Sequence, residues 1–208
     1  MVCCDESVPS IVHGGLNMDV EILSLILLLS AVAMYQFFRG RKLNLMMMSK
    51  VSKGLETALK PTDKEYAWLG GYVGFRANYS LEHGEVEATL TLLPRQALLY
   101  LPVSLLVNRS DRLYLVFRGR IALEEIHIFG KRRMLRRGER RELKGLKLEK
   151  MGGFGFSGDS TEASELIERL SLDSRTLFHL YAKEDHIFIL MDPKGRIDLS
   201  GVLSLLSL

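Results

Sequence analysis

The chain has 208 residues, 47% of them hydrophobic, with 28 Lys and Arg against 25 Asp and Glu and a formal net charge of +3. The only two cysteines, Cys3 and Cys4, are adjacent and badly placed to bridge each other, which excludes a disulfide-built fold and befits a reducing compartment. No internal repeat or low-complexity linker is present, so the length suits one domain after any membrane segment.

Charge is distributed unevenly along the chain. Residues 1–38 hold no Lys or Arg and four acids, residues 39–150 hold 23 cations against 12 acids, and residues 151–208 hold 5 against 9. The middle therefore carries a surplus of 11 positive charges. A basic surface of that kind suits anionic lipid or RNA.

Residues 1–18 are too short to fold and read as a tail; Cys3 and Cys4 there are either bystanders or lipidation sites. Ile22 to Phe38 is a run of 17 residues without a charge. It makes about 25 Å of helix, close to the lower limit for crossing a bilayer. A signal peptide would place its cations before the run; here Asp19 and Glu21 precede it, and Arg39, Arg41, Lys42, Lys50 and Lys53 follow. A soluble core helix would show a polar face, and this run has only Ser24, Ser30 and Gln36. The expectation is a transmembrane helix with a basic collar over 19–42, a short extracytoplasmic tail at 1–18, and a cytosolic α+β domain over 43–208. By the positive-inside rule the N-terminus is outside, and Tyr35, Phe37 and Phe38 sit at the inner boundary.

Downstream, "LNLMMMSKVSKGLETALK" reads as a juxtamembrane helix with Met47, Val51, Leu55 and Leu59 on one face, stopped by Pro61. Its triplet Met46, Met47 and Met48 either contacts a partner's transmembrane helix or anchors the segment at the interface. From Glu85 the alternation has period two, directing Val86, Ala88, Leu90 and Leu92 to a core, with a hairpin turn at Glu82-His83-Gly84. Pro94 is expected to open a helix, "PRQALLYLPVSLL", that Pro102 kinks or ends. "RLYLVF" and "IALEEIHIF" read as strands. "GDSTEASELIERLSL" reads as a helix capped by Asp159, with Ala163, Leu166, Ile167 and Leu170 on one stripe. "RTLFHLYAKE" is expected to be a helix and "HIFILMD" a strand. The assembly these elements favour is an antiparallel sheet with helices packed on one face.

Chemistry is sparse. The histidines fall in no metal spacing, and His127, alternating with Ile126 and Ile128, reads as a solvated or satisfied side chain; no metal, cofactor or catalytic set is expected. "GGFGFSGDST" runs into a helix N-terminus and either cradles a phosphate or is a flexible loop before a capped helix; it lacks the lysine of a P-loop. The sequons at Asn78 and Asn108 would be silent in the cytoplasm. The densest signal is "KRRMLRRGERRELKGLKLEK", with ten cations against three glutamates. Lys131, Arg132, Arg133, Arg136, Arg137, Arg140, Arg141 and Lys144 form either a solvated helix face or a contact for phosphates of lipid or ribosomal RNA. No aromatic residue is interleaved, so base stacking is not expected.

The order of anchor, collar, helix, hairpin and then "LLPRQALLYLPVSLLVNRSDRLYLVF" resembles the cytosolic domain of the calumin family, the coiled-coil-domain membrane subunit of the PAT complex. The resemblance rests on Leu93, Arg95, Gln96, Leu98 and Leu99, then Ser110-Asp111 before a strand, with "HIFGKRRMLRRGERREL" and "LYAKEDHIFILMDPKG" in corresponding places, and it covers most of residues 20–195. It implies a non-enzymatic scaffold or chaperone that pairs with a small multispanning membrane partner. It further implies a place beside the Sec translocon under the ribosome, helping nascent multipass membrane proteins. Without the family's acidic N-terminal domain, calcium binding is not expected. Without its charged C-terminal coiled coil, ribosome contact would fall to another surface, for which Lys131–Lys150 is the candidate. A minimal archaeal-type relative would sit in the plasma membrane, a eukaryotic one in the endoplasmic reticulum. The competing expectations are a membrane-tethered enzyme acting on a phosphorylated ligand through Gly152–Gly158, and a lipid-binding domain held by its basic run.

Overall fold

The computed structural model describes residues 20–82, 84–108, 110–119, 125–130, 135, 146, 148–195 and 199–206. The chain divides into two compact units, Met1–Tyr35 and Gln36–Leu208. The first, where described, is the opening of helix α1 (Val20–Leu59). An 18-residue window of this helix has mean hydropathy 1.9 and none of it is buried, so among the described residues one helix is long and apolar enough to cross a membrane.

The second unit holds the rest of α1 and a nine-stranded sheet. Its strands are β1 (Asp63–Trp68), β2 (Gly74–Leu81), β3 (Gly84–Thr91), β4 (Arg112–Arg118), β5 (Ile126–Phe129), β6 (Glu149–Met151), β7 (Phe154–Ser157), β8 (Leu177–Lys183) and β9 (His186–Met191). They pair antiparallel throughout in the order β1-β2-β3-β4-β9-β8-β5-β7-β6. Among the described residues three further helices are α2 (Leu101–Asn108), α3 (Ser160–Arg169) and α4 (Leu199–Leu206). The α+β class and the antiparallel sheet agree with the sequence reading.

Period-two patterning sets the main core. Phe75, Ala77 and Tyr79 of β2, Val86, Ala88 and Leu90 of β3, and Leu113, Leu115 and Phe117 of β4 point to one face and share a single core cluster with Met48, Leu55 and Leu59 of α1, Ala163 and Leu166 of α3, and Leu199 and Val202 of α4. Leu81 pairs with Gly84, which fixes the expected tight hairpin. The α1 stripe ends as expected before Pro61: Lys60 takes a left-handed φ of 44° and its N–H bonds the Glu56 carbonyl. A smaller cluster on the other face gathers Phe129, Phe178 and Leu190 with Leu135, and Tyr114, Leu146, Leu148 and Phe188 pack against it.

Several expectations are corrected. The juxtamembrane helix is not separate but the continuation of α1. Pro94 does not open a helix; α2 starts at Leu101, and Pro102 sits in its first turn, where a missing N–H costs no intrahelical bond. "RTLFHLYAKE" contains strand β8, because Leu177, Leu180 and Ala182 alternate inward once the segment pairs with β9. A register shift between Leu177 and His179 puts His179 on the same side as its neighbour Phe178, opposite Leu177. The glycine stretch is not a flexible loop: Gly152 and Gly153, at φ of 54° and 89°, make the hairpin turn of β6 and β7, and β7 then leads into the helix that Asp159 caps.

Candidate functional site

Along α1, Gln36, Gly40, Asn44 and Met48 recur every four residues, and the last three are buried. At the middle of that stripe lies the most elaborate polar cluster among the described residues. Asn44 is fully buried. Its Nδ2 donates to the Leu93 carbonyl at 2.9 Å, the Tyr72 carbonyl at 2.9 Å and Gln96 Oε1 at 3.3 Å, while its Oδ1 accepts from Arg95 Nη1 at 2.9 Å. Arg95 Nη2 in turn meets Asp111 Oδ2 at 2.5 Å, and Asp111 Oδ1 accepts the Leu93 N–H at 2.9 Å. Gln96 Nε2 donates to the Gly71 carbonyl, and Gln36 Nε2 to the Arg95 carbonyl at 3.2 Å. One side chain of α1 is thus bonded to the β1–β2 loop and to the segment after β3. Such a network is stable because its charges are mutually satisfied. Gly40 admits the backbone of that segment: a Cβ there would lie 2.6 Å from Gln96 N.

The collar residues Arg39, Arg41, Lys42, Lys50 and Lys53 all lie on α1. Arg41 places its guanidinium 4.4 Å from the centre of the Tyr72 ring, a cation–π contact, and Tyr72 itself adopts a left-handed φ of 54°. The methionine triplet is split: Met48 is core, Met47 packs against the core, and Met46 is exposed. Met47 and Met48 are therefore taken up by the chain's own domain rather than presented to a partner helix, and only Met46 remains on the outer face beside Lys42 and Lys50.

Lys131, Arg132, Arg133, Arg136, Arg137, Arg140, Arg141 and Lys144 lie outside the described residues. Within the same stretch Leu135 is buried, and Leu146 and Leu148 pack against the same small cluster. Its last residues, Glu149 and Lys150, belong to β6 rather than to a helix.

That face also carries the histidines. His127 Nδ1 and His179 Nε2 are 3.2 Å apart, their rings stacked at 5.4 Å, with Phe129 stacked on His179 at 4.6 Å and Tyr181 tilted against His127 at 4.6 Å. Burial, and then the neighbouring His127, push His179 down to about 4; burial also lowers His127. Both rings are thus neutral at pH 7. Among the described residues no group of three or more His, Cys, Asp or Glu is arranged to hold a metal ion.

At the glycine stretch, Asp159 caps α3 as expected, its Oδ1 accepting the Thr161 N–H at 2.6 Å and the Glu162 N–H at 3.3 Å, and these bonds lower its pKa. The donors a phosphate would need at that helix end already serve a carboxylate.

The fold and this cluster define an α+β chain in which one long apolar helix is locked by a buried Asn-Arg-Asp network into an antiparallel sheet domain. No protein-family model matches the chain, and no curated protein matches it.

Proposed function

We propose that this chain is a single-pass membrane scaffold assisting insertion or folding of multipass membrane proteins at the Sec translocon near the ribosome, with its N-terminus outside and its sheet domain in the cytoplasm. One observation supports it above the others. Leu93, Arg95, Gln96 and Asp111 are among the residues that carry the resemblance to the calumin family; the first three bond Asn44 of α1, and Asp111 holds Arg95 and the Leu93 N–H in place. A helix fixed this way transmits position rather than chemistry, as a non-enzymatic scaffold requires. The partners in this reading are a small multispanning membrane protein, the translocon, membrane lipids, nascent membrane proteins, and the ribosome or its RNA, the last through Lys131–Lys144.

The test is a gentle-detergent pull-down of the tagged full-length chain from native membranes, read by mass spectrometry and a ribosomal RNA assay. Recovery of translocon subunits, ribosomes or a small multispanning protein supports the reading; an intact, abundant bait that brings none of them down sinks it. Orientation is checked separately on the two cysteines at positions 3 and 4. A membrane-impermeant maleimide applied from outside should label them in intact cells, and labelling only after permeabilisation would reverse the topology.

A further inference from the structure

Helix α2 is built inside out for a helix of a water-soluble domain. Its sequence is "LPVSLLVN", and the buried side chain of its middle is the polar one, Ser104, whose hydroxyl returns to the Leu101 carbonyl at 2.9 Å. The large apolar side chains of the segment point outward: Leu99 is 91% exposed, Leu106 80%, Val107 69%, Tyr100 59% and Val103 51%. None of them joins either hydrophobic cluster. Soluble monomers rarely leave so contiguous an apolar surface uncovered.

The position of α2 says what covers it. The segment is rooted at Arg95 and Gln96, and that root is bonded to Gln36 and Asn44 and packed against Gly40, the part of α1 where the charge-free run gives way to Arg39, Arg41 and Lys42. The β1–β2 loop is bonded to the same root through the Gly71 carbonyl and to Asn44 through the Tyr72 carbonyl, and the exposed ring of Trp68, at the end of β1, lies edge-on to Tyr72. Exposed Leu and Val, flanking Trp and Tyr, and adjacent cations are the composition of a membrane–water boundary. Eight helical residues make about 12 Å, far short of a crossing.

We propose that residues 98–107 are a second membrane attachment: α2 lies in the headgroup–acyl boundary of the leaflet on the sheet domain's side, its outward face in lipid. The proposal rests on the reading that the Ile22–Phe38 run crosses a bilayer.

The experiment uses the full-length chain with Cys3→Ser and Cys4→Ser, reconstituted into phosphatidylcholine–phosphatidylglycerol vesicles. Single cysteines carrying an environment-sensitive nitrobenzoxadiazole dye are placed in turn by Leu99→Cys, Leu106→Cys, Leu29→Cys and Lys183→Cys, all at exposed sites. Lipids spin-labelled high on the acyl chain should quench positions 99 and 106 about twofold or more relative to position 183, as expected for shallow insertion. Lipids labelled near the chain end should quench position 29 most. If position 29 is quenched and 99 and 106 are not, the proposal is overturned while the membrane crossing stands. Loss of quenching at position 29 sinks the crossing instead. A blue shift at 99 and 106 without quenching places the face against protein, a second copy if the shift falls on dilution, and also overturns the proposal.

Discussion

Asn44 Oδ1 and Arg95 Nη1 meet at 2.9 Å, 51 residues apart in sequence, and Arg95 carries the contact on to a carboxylate, Asp111, that is itself buried. Replacing Asn44 by Leu leaves the Leu93 carbonyl and part of the guanidinium without partners, and should cost about 2 kcal/mol. Arg95→Ala strands a buried carboxylate and should cost more, about 3 kcal/mol or above, with part recovered by adding Asp111→Asn. Denaturant unfolding of the full-length variants in one detergent measures both. Equal, small losses for all three would mean that the network is solvated and not a lock.

Two glycines of the same helix separate packing from propensity. Gly40 is buried, and a Cβ there would collide with the backbone of Arg95 and Gln96, whereas nothing lies within 4 Å of a Cβ built on Gly54. Gly40→Ala should therefore destabilise by about 2 kcal/mol. Gly54→Ala should stabilise by about 0.5–1 kcal/mol through helix propensity alone. Melting temperatures moving in opposite directions check the pair; a shared sign would contradict the close approach at Gly40.

What was legible in the sequence was local. The β3 alternation at Val86, Ala88 and Leu90 and the Asp159 cap are each written within one element, and each is found as read. Strand β8 is not legible locally, because Leu177, Leu180 and Tyr181 fit a helical spacing as well as a strand, and only pairing with β9 decides between them. Asn44 went unnoticed because its partners are 28 to 52 residues away. A signal existed in the four-residue spacing of Gln36, Gly40, Asn44 and Met48, a polar and small stripe inside an otherwise apolar helix. Within the methionine triplet the phase of that stripe turns Met48 inward and Met46 outward.

The glycine hairpin yields a prediction opposite to that of a phosphate loop. With the Thr161 and Glu162 N–H groups held by Asp159, a panel of nucleotides and inorganic phosphate should leave the melting temperature unchanged. Asp159→Ala should lower that temperature without creating phosphate affinity, because removing the cap frees two donors but adds no cation beside them. A ligand-dependent upward shift in the unmodified chain would restore the enzymatic alternative.

The stacked histidines make stability depend on pH in a definite direction. His179, on β8, faces His127 and Phe129 of β5 and Phe188 of β9; Glu125 lies 3.6 Å from the far nitrogen of His127, and Tyr181 separates the pair from His186 and Asp185. Burial and the His127 charge hold His179 at about 4, against 6.5 when unfolded. Between those values the unfolded chain binds a proton that the folded chain refuses, so the contribution is complete above pH 6.5 and is lost as pH falls toward 4. His127, also lowered, acts with the same sign. For His179 alone the loss should reach at most about 3.5 kcal/mol, at about 1.4 kcal/mol per pKa unit. His179→Phe, which keeps an aromatic ring between Phe129 and Phe188, should flatten the dependence over that window. Unfolding midpoints collected from about pH 7.5 to about pH 4.5 compare the slopes. An unchanged slope in the variant would assign the acid sensitivity to carboxylates elsewhere, whose loss follows their own protonation at lower pH.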